Sequence, residues 1–455
     1  MRKITTLAAC ALLLSAAACS EEDFMVPDYN NPGLEDLRDN PTPAGIAAAA
    51  TGMLVGGRDE FDDRNGYVAL LGILGREAYN FDGADPRFVT EMLETPLNPS
   101  SPAFGGNLWS ERYRNIRTGT IILDAVDATP GLSDQEKEAV RGFVKTLQAH
   151  ELLLVINTRD VNGAALDFDR EPQGEPAPLS GRIETLERVS ALLDEGLTHL
   201  NAGGSDFPFP LSSGFDGFDS PATFARFNRA LKARVEVYRG NHQAALTALQ
   251  GSFIVRDAAQ LGLGVYHSFG TASGDAVNEL FDPGEAPDIL AHPALVTAAE
   301  RQPNGQLDRR VLDKIRTVPP QTTRGITTDK AFTIYNSREA PMPIIRNEEL
   351  ILLRAEALIA TNNLAAALED INFIRVNTGG LAPLTANAQA TIDEVLRQRR
   401  YSLMFDGGHR WLDLRRLNRL NQLELDLSTH RRNAAFPIPE AECLARGQQT
   451  CSAAG

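Results

Sequence analysis

Apolar residues along this chain recur at the three- and four-residue spacing of helices, and no stretch sustains the apolar–polar alternation of a half-buried strand. Ser133-Asp134-Gln135-Glu136 has the form of a capping box, in which serine and glutamate each satisfy the other's free backbone N–H. Val140, Phe143, Val144, Leu147 and Leu154 then mark one face of a long helix. Ser220-Pro221 opens another, a serine N-cap followed by proline at the first helical position, with Phe224, Phe227, Leu231 and Val235 as its stripe. Gly240 ends it.

Two segments 122 positions apart repeat this pattern. Leu231/Leu353, Ala233/Ala355, Asn241/Asn363, Ala244/Ala366, Ala245/Ala367 and Leu246/Leu368 agree. In each, a helix stops at a short turn and an asparagine caps a second helix, whose alanine pair permits close approach. That is the logic of tetratricopeptide repeats. The predicted fold is mainly α: tetratricopeptide-like helical hairpins with long loop insertions. The insertions run over 163–181, over 202–219 with Phe207-Pro208-Phe209-Pro210, and over 262–319. Loops of that length are functional or disordered, and aromatic residues in them argue for packed insertions that shape a pocket.

The N-terminus reads as an address. Met1-Arg2-Lys3 is a positive start, and 4–18 carry no charge, a stretch too short to span a bilayer but suited to a secretory signal. Ala16-Ala17-Ala18-Cys19 has the form of a lipoprotein signal, so residues 1–18 are expected to be removed and Cys19 acylated. Residues 19–45 then read as an acidic tether and 46–455 as one folded body. Losing Arg2 and Lys3 takes the formal charge from −16 to −18. Of the four cysteines, Cys10 is discarded and Cys19 acylated, which leaves Cys443 and Cys451 as the expected disulfide of an exported protein.

Charge excludes one class of partner, because an acidic chain suits neither nucleic acid nor an anionic membrane surface. Attachment to a membrane therefore falls to the acyl chains. Enzyme signatures are missing: there is no Gly-x-Ser-x-Gly elbow, no phosphate-binding Gly-Lys-Ser/Thr loop and no complete dinucleotide fingerprint. The seven histidines form no i, i+4 pair, and neither metal nor cofactor is expected. Arg397, Arg400, Arg410, Arg415 and Arg416, near Glu394, Asp406 and Asp413, read as structural ion pairs, and Trp109 and Trp411 as core. Gly407-Gly408 reads as a turn needing positive φ.

The C-terminal third has the most specific pattern. It contains Asn347-Glu348-Glu349-Leu350, Leu353-Arg354-Ala355-Glu356-Ala357, Asp370-Ile371-Asn372-Phe373-Ile374-Arg375 and Val395-Leu396-Arg397-Gln398-Arg399-Arg400. Leu403-Met404-Phe405-Asp406-Gly407-Gly408-His409-Arg410, Trp411-Leu412-Asp413-Leu414-Arg415-Arg416 and Phe436-Pro437-Ile438-Pro439 follow. With the Cys19 signal, and with Asn107-Leu108-Trp109 as an early helix, this order resembles the SusD/RagB family of outer-membrane nutrient-binding lipoproteins, most densely over 330–440. The tail departs from the family, with Cys443 and Cys451 where an Asn-Pro-rich ending is expected. The resemblance implies a SusD-like α/α architecture, a place at the cell surface and a SusC-like TonB-dependent β-barrel transporter as partner. It also implies an oligosaccharide or peptide ligand that is bound without chemistry.

Sugars need an aromatic face ringed by amides and carboxylates. Two clusters offer that: Tyr79-Asn80-Phe81-Asp82, and Tyr266 with Phe269. Two other readings stay open: a surface scaffold that uses its helical repeats with no small ligand, and an exported glycoside hydrolase, since acidic pairs at a suitable separation are common in so acidic a chain.

Overall fold

The computed structural model describes residues 34–168, 170 and 174–452. The signal sequence and Cys19 lie outside the described residues. Helices α1 (Leu34–Asp39) and α2 (Pro43–Arg58) come first. They correct the expected extent of the tether: Leu37 is buried in the core and Arg38 pairs with Asp124 at 3.1 Å, so packing begins well before residue 46. Next comes α3 (Tyr67–Leu74), apolar throughout and buried at every position.

The long helices α4 (Asn107–Val126), α5 (Asp134–Arg159), α6 (Arg182–Ala202) and α7 (Pro221–Arg239) pack in succession, each against the next. The capping box of α5 is present: the Ser133 hydroxyl accepts from the Glu136 N–H at 3.2 Å, and the Glu136 carboxylate accepts from the Ser133 N–H at 2.8 Å. Val140, Phe143, Val144 and Leu147 all enter the core from it. Phe207 and Phe209, expected in a loop insertion, fold back on Phe143 with ring centroids 6.0 and 5.1 Å away. This insertion is an aromatic wedge on the core.

The two repeated segments are both helical hairpins: α7 with α8 (His242–Gln250), and α9 (Asn347–Ala360) with α10 (Leu364–Asn377). They share their turn. Gly240 and its counterpart Asn362 both adopt left-handed backbone, at φ 77° and 60°, which is where glycine and asparagine are tolerated. Asn241 and Asn363 precede the second helices, but neither side chain caps one, contrary to expectation. Asn241 instead donates to the Glu236 carboxylate at 2.9 Å. Helices α11 (Ile392–Ser402) and α12 (His409–Arg416) complete the C-terminal group, joined through Gly407 and Gly408 at φ 135° and 71°.

Strands run through the region expected to be irregular. In chain order they are β1 (Ala78–Asn80), β2 (Gly264–His267), β3 (Ile289–Ala291), β4 (Ile315–Thr323), β5 (Ile326–Phe332) and β6 (Met342–Arg346). An antiparallel sheet has the order β1-β3-β5-β4, and β2 pairs separately with β6. The β4–β5 hairpin escapes the alternation test for a physical reason. Pro319-Pro320 lacks N–H donors and reads as loop, yet it sits where the ladder breaks, between Thr317 and Gln321. At the tip, Arg324 and Gly325 both have positive φ, as a tight two-residue turn requires.

The α7 and C-terminal helices meet through charge. Arg234, buried in α7, donates to both carboxylate oxygens of Glu349 in α9 at 2.8 and 2.7 Å, and to the Ile344 carbonyl in β6 at 2.6 Å. Burial alone would raise the Glu349 carboxyl, but the Arg234 guanidinium outweighs it and holds the group down at about 2. The same device recurs between Arg399 and Asp413 (2.6 Å) and between Arg416 and Glu356 (2.5 Å). Of the arginines expected in structural ion pairs, Arg397 pairs with Glu394 and Arg416 with Asp413, while Arg400 and Arg410 turn to Glu424 and Arg415 to Asp160; Trp109 and Trp411 lie in the core as expected. Cys443 and Cys451 are joined by a disulfide.

Removing Arg234 alone strands a carboxylate in the interior. Arg234→Met is expected to cost about 3–5 kcal/mol in thermal or denaturant unfolding. Arg234→Met with Glu349→Leu removes both charges and is expected to recover most of that loss; equal destabilisation of the single and double variants would show that the pair matters only through its packing.

Candidate functional site

The two ring clusters are placed by the two short sheets. β1 is held at Tyr79 by pairing with Leu290 and at Asn80 by pairing with Ile289. This strand lies deep. Tyr79 is only 1% exposed, its ring stacked on Phe81 (5.5 Å) and tilted against His292 (4.9 Å). Its hydroxyl bonds the Asp426 carboxylate; burial alone would raise that acid, but the bonds from His292 and Tyr79 hold it well below the usual range. Tyr79 therefore presents no ring face, which corrects its expected role as a stacking platform. Asn80 is also buried, its amide donating to the Arg64 carbonyl at 3.3 Å and its oxygen accepting from the Asp82 N–H at 2.9 Å. It acts on Asp82 by fixing the turn.

Phe81 and Asp82 are half-buried, and Phe81 is the ring of this cluster that reaches the surface. It packs at its base on Leu290, Val318 and Ala331. Its N–H donates to the Asp288 carbonyl at 2.7 Å, and the Asp288 carboxylate pairs with Arg64.

Tyr266 lies on β2, opposite Pro343 of β6, just after a bulge in the ladder. It is half-buried, and its hydroxyl donates to the Gly262 carbonyl. The loop at Ser213–Phe215 presses against it so closely that a Cβ on Gly214 would fall 1.9 Å from the Tyr266 carbonyl oxygen. The strand is thereby fixed from both sides. One side of Tyr266 opens on a groove of about 200 Å³ walled by Leu54, Val55, Arg58, Leu211 and Phe215. Val55 is 44% exposed there. Phe269, by contrast, is buried, with the Arg58 guanidinium 5.7 Å from its ring centre. His267, next to Tyr266, is also buried; loss of solvent pushes its imidazole down to about 3, so it is neutral and apolar in effect.

One segment joins the two clusters. After α2 the chain makes an acidic turn over 59–66, and three of its flanking groups reach the loop 268–288. Arg58 donates to the Ser268 carbonyl at 2.5 Å and pairs with Asp275, the Asp62 carboxylate accepts from the Glu279 N–H at 3.2 Å, and Arg64 pairs with Asp288. Arg58–Asp275 lies beside Tyr266, the backbone of Phe81 meets Asp288, the partner of Arg64, and the 59–66 segment between these pairs is the candidate rim. Of the residues along the candidate rim, Tyr266 and Phe81 stand out in the sequence, and Arg58, Arg64 and Val55 do not. The available signal was the acidic run Asp59, Glu60, Asp62 and Asp63 bracketed by two arginines.

Among the described residues no group of three or more His, Cys, Asp and Glu is arranged to hold a metal ion. No helix among them is long and apolar enough to cross a membrane.

Residues 314–441 match the sequence model of the SusD family. Solved SusD structures share the fold over most of the chain. A SusD superfamily protein from Bacteroides vulgatus superposes with a TM-score of 0.67 at 13% identity, covering 89% of this chain and 97% of that one. The surface glycan-binding protein A from Bacteroides thetaiotaomicron, in complex with laminarihexaose, gives 0.69 at 14% identity, covering 90% and 99%. A laminarin-binding SusD-like protein gives 0.65 at 17% identity, covering 90% and 98%. No curated protein matches the chain. The chain is SusD-like, with the family's sequence pattern in its C-terminal region and the SusD fold around it.

The rim carboxyls give a pH test. Burial first, then repulsion from Glu60 and Asp62, push the Asp63 carboxyl up to about 7, and burial raises Asp62 to about 6. A raised acid stabilises the fold in its protonated form, and that contribution fades as pH climbs from about 4 through 7. Asp63→Asn is therefore expected to stabilise the fold at pH 8 by about 1–2 kcal/mol, chiefly by removing a buried charge, and to leave it nearly unchanged at about pH 3.5, where the acid is largely protonated in both states. An equal gain at both pH values would place the effect elsewhere.

Proposed function

We propose that this chain is a cell-surface binding protein that captures oligosaccharide on the rim between Tyr266 and Phe81. In this reading residues 1–18 are the removed signal and Cys19 carries the lipid anchor. The tether ends ahead of α1, the rest forms one body, and the captured ligand passes to a SusC-like TonB-dependent β-barrel. The chain binds its ligand unchanged. One observation carries the ligand class: two partly exposed aromatic residues adjoin guanidinium–carboxylate pairs, Phe81 through its backbone, and offer apolar faces for the C–H side of a sugar with charged hydrogen-bonding groups nearby. The fold shared with the glycan-binding protein seen with laminarihexaose supports the same reading. Phe81, Asp82 and Tyr266 are the proposed ligand contacts. Tyr79, Asn80 and Phe269 support them from beneath. Peptide capture is the second reading, favoured by the exposed Val55 and by Leu54 in the groove.

Calorimetric titration of the mature chain with laminarihexaose tests this directly. Binding is expected, with Tyr266→Ala and Phe81→Ala each weakening it about 3- to 10-fold, the scale of one aromatic contact. The hexasaccharide is expected back intact. Shorter products would move the chain to the glycoside hydrolases, and a stable partner complex with every oligosaccharide and peptide silent would make it a scaffold.

A further inference from the structure

A cavity of about 500 Å³ lies away from the rim, in the C-terminal helices. Its size is within the range of small-molecule sites, roughly 300–1,000 Å³. Arg397 and Arg400 from α11 line it, with Arg410 from α12, Glu424 from the following loop, and Tyr401. Leu396, Leu414 and Ala298 supply apolar wall.

The charges around this cavity do not cancel. Arg397 is matched by Glu300 (3.0 Å) and Glu394 (2.9 Å), Asp413 by Arg399 (2.6 Å) and Arg416 (2.9 Å), and Asp393 by Arg419. Arg400 and Arg410, however, share one carboxylate: Glu424 accepts from Arg410 at 2.7 Å and from Arg400 at 3.3 Å. Behind them Arg76 is occupied by the carbonyls of Ile73, Glu424 and Arg431. The neighbouring Glu77 carboxyl, raised to about 7 by burial, offsets the surplus only in part.

Two buried polar atoms of the lining residues also lack partners. Tyr401 is 1% exposed, and its hydroxyl makes no hydrogen bond within the protein; nor does the buried Nε of Arg400. The Tyr401 ring is fixed between the guanidiniums of Arg310 (5.6 Å) and Arg400 (5.9 Å). A buried hydroxyl and a guanidinium N–H left unsatisfied are costly, and both are donors an anionic oxygen can accept from.

The structure assigns this cavity as a second binding site, for a small ligand carrying one carboxylate on a hydroxylated frame, such as a hexuronic acid. Arg400 and Tyr401 contact the carboxylate, and Arg410 supplies the balancing charge. A small surplus of positive charge suits a monoanion better than a phosphate dianion. The apolar wall and the exposed amide of Gln422 suit a sugar ring with hydroxyls at its edge. The site stands independently of the rim and of its proposed ligand.

The test is calorimetric titration of the mature chain with D-glucuronate, D-glucose and inorganic phosphate in parallel. Glucuronate is expected to bind at least 10-fold more tightly than either comparator. Tyr401→Phe, which removes a hydroxyl with no protein partner, is expected to weaken glucuronate binding about 5-fold while the unfolding temperature holds or rises. Arg400→Gln is expected to abolish binding, and Phe81→Ala to leave it unchanged. Equal affinity for glucose, tighter binding of phosphate, or glucuronate binding that survives both Tyr401→Phe and Arg400→Gln would overturn the assignment. So would loss of glucuronate binding in Phe81→Ala, which would place the ligand on the rim.

Discussion

A guanidinium withdrawn from water among packed helices must be met by a carboxylate or by carbonyl oxygens, because one left alone costs several kcal/mol. Arg234 imposes that constraint at the joint between the N-terminal helices and the C-terminal group. Its partner Glu349 lies in the first turn of α9, where the helix dipole also favours an anion. Its third hydrogen bond goes to Ile344 of β6, the strand that leads directly into α9. One side chain therefore fixes both the strand and the helix that follows it. β6 in turn pairs with β2, and β2 carries Tyr266. The position of the most open ring on the candidate rim thus follows from a charge pair buried in the core. Arg346, at the end of β6, repeats the device by pairing with Asp406 and donating to the Ser402 carbonyl.

The rim is the opposite kind of structure. Its turn concentrates Asp59, Glu60, Asp62 and Asp63, whose mutual repulsion the protein tolerates through partial neutralisation and through the two flanking arginines. A surface built this way offers carboxyls and guanidiniums already desolvated on one side, so less water has to be displaced when a ligand takes its place. Rigid support beneath and unbalanced charge above are what a binding surface needs, and neither requires a reactive group.

Local rules made much of this fold legible in the sequence. The capping box at Ser133, the proline-started helix at Ser220 and the repeated hairpins depend on neighbours within a few residues, and a repeat reads the same wherever it is placed. The ion pairing of the C-terminal motif was legible in part, because Arg397 with Glu394 and Arg416 with Asp413 lie one helical turn apart, whereas Arg416 also reaches Glu356 across 60 residues. The β4–β5 hairpin was hidden because Pro319-Pro320 interrupts its ladder. Tyr79 misled for a different reason: the sequence places it beside Phe81 and Asp82 but carries no sign that β1 is drawn under β3. The rim was only half legible, since Arg58 and Val55 meet Tyr266 across some 200 residues. The Arg400–Arg410 surplus was hidden as well, because Glu424 looks in sequence like one more acid near one more arginine.

The proposed capture of ligand on one rim, from Tyr266 to Phe81, requires a scaffold that does not move. Hydrogen exchange on the mature chain, with and without the oligosaccharide that binds it, measures this residue by residue. Slower exchange is expected at 58–66, 81–85 and 262–288, with α5, α7 and α9 unchanged. Protection confined to other segments, or spread through those helices, would contradict it.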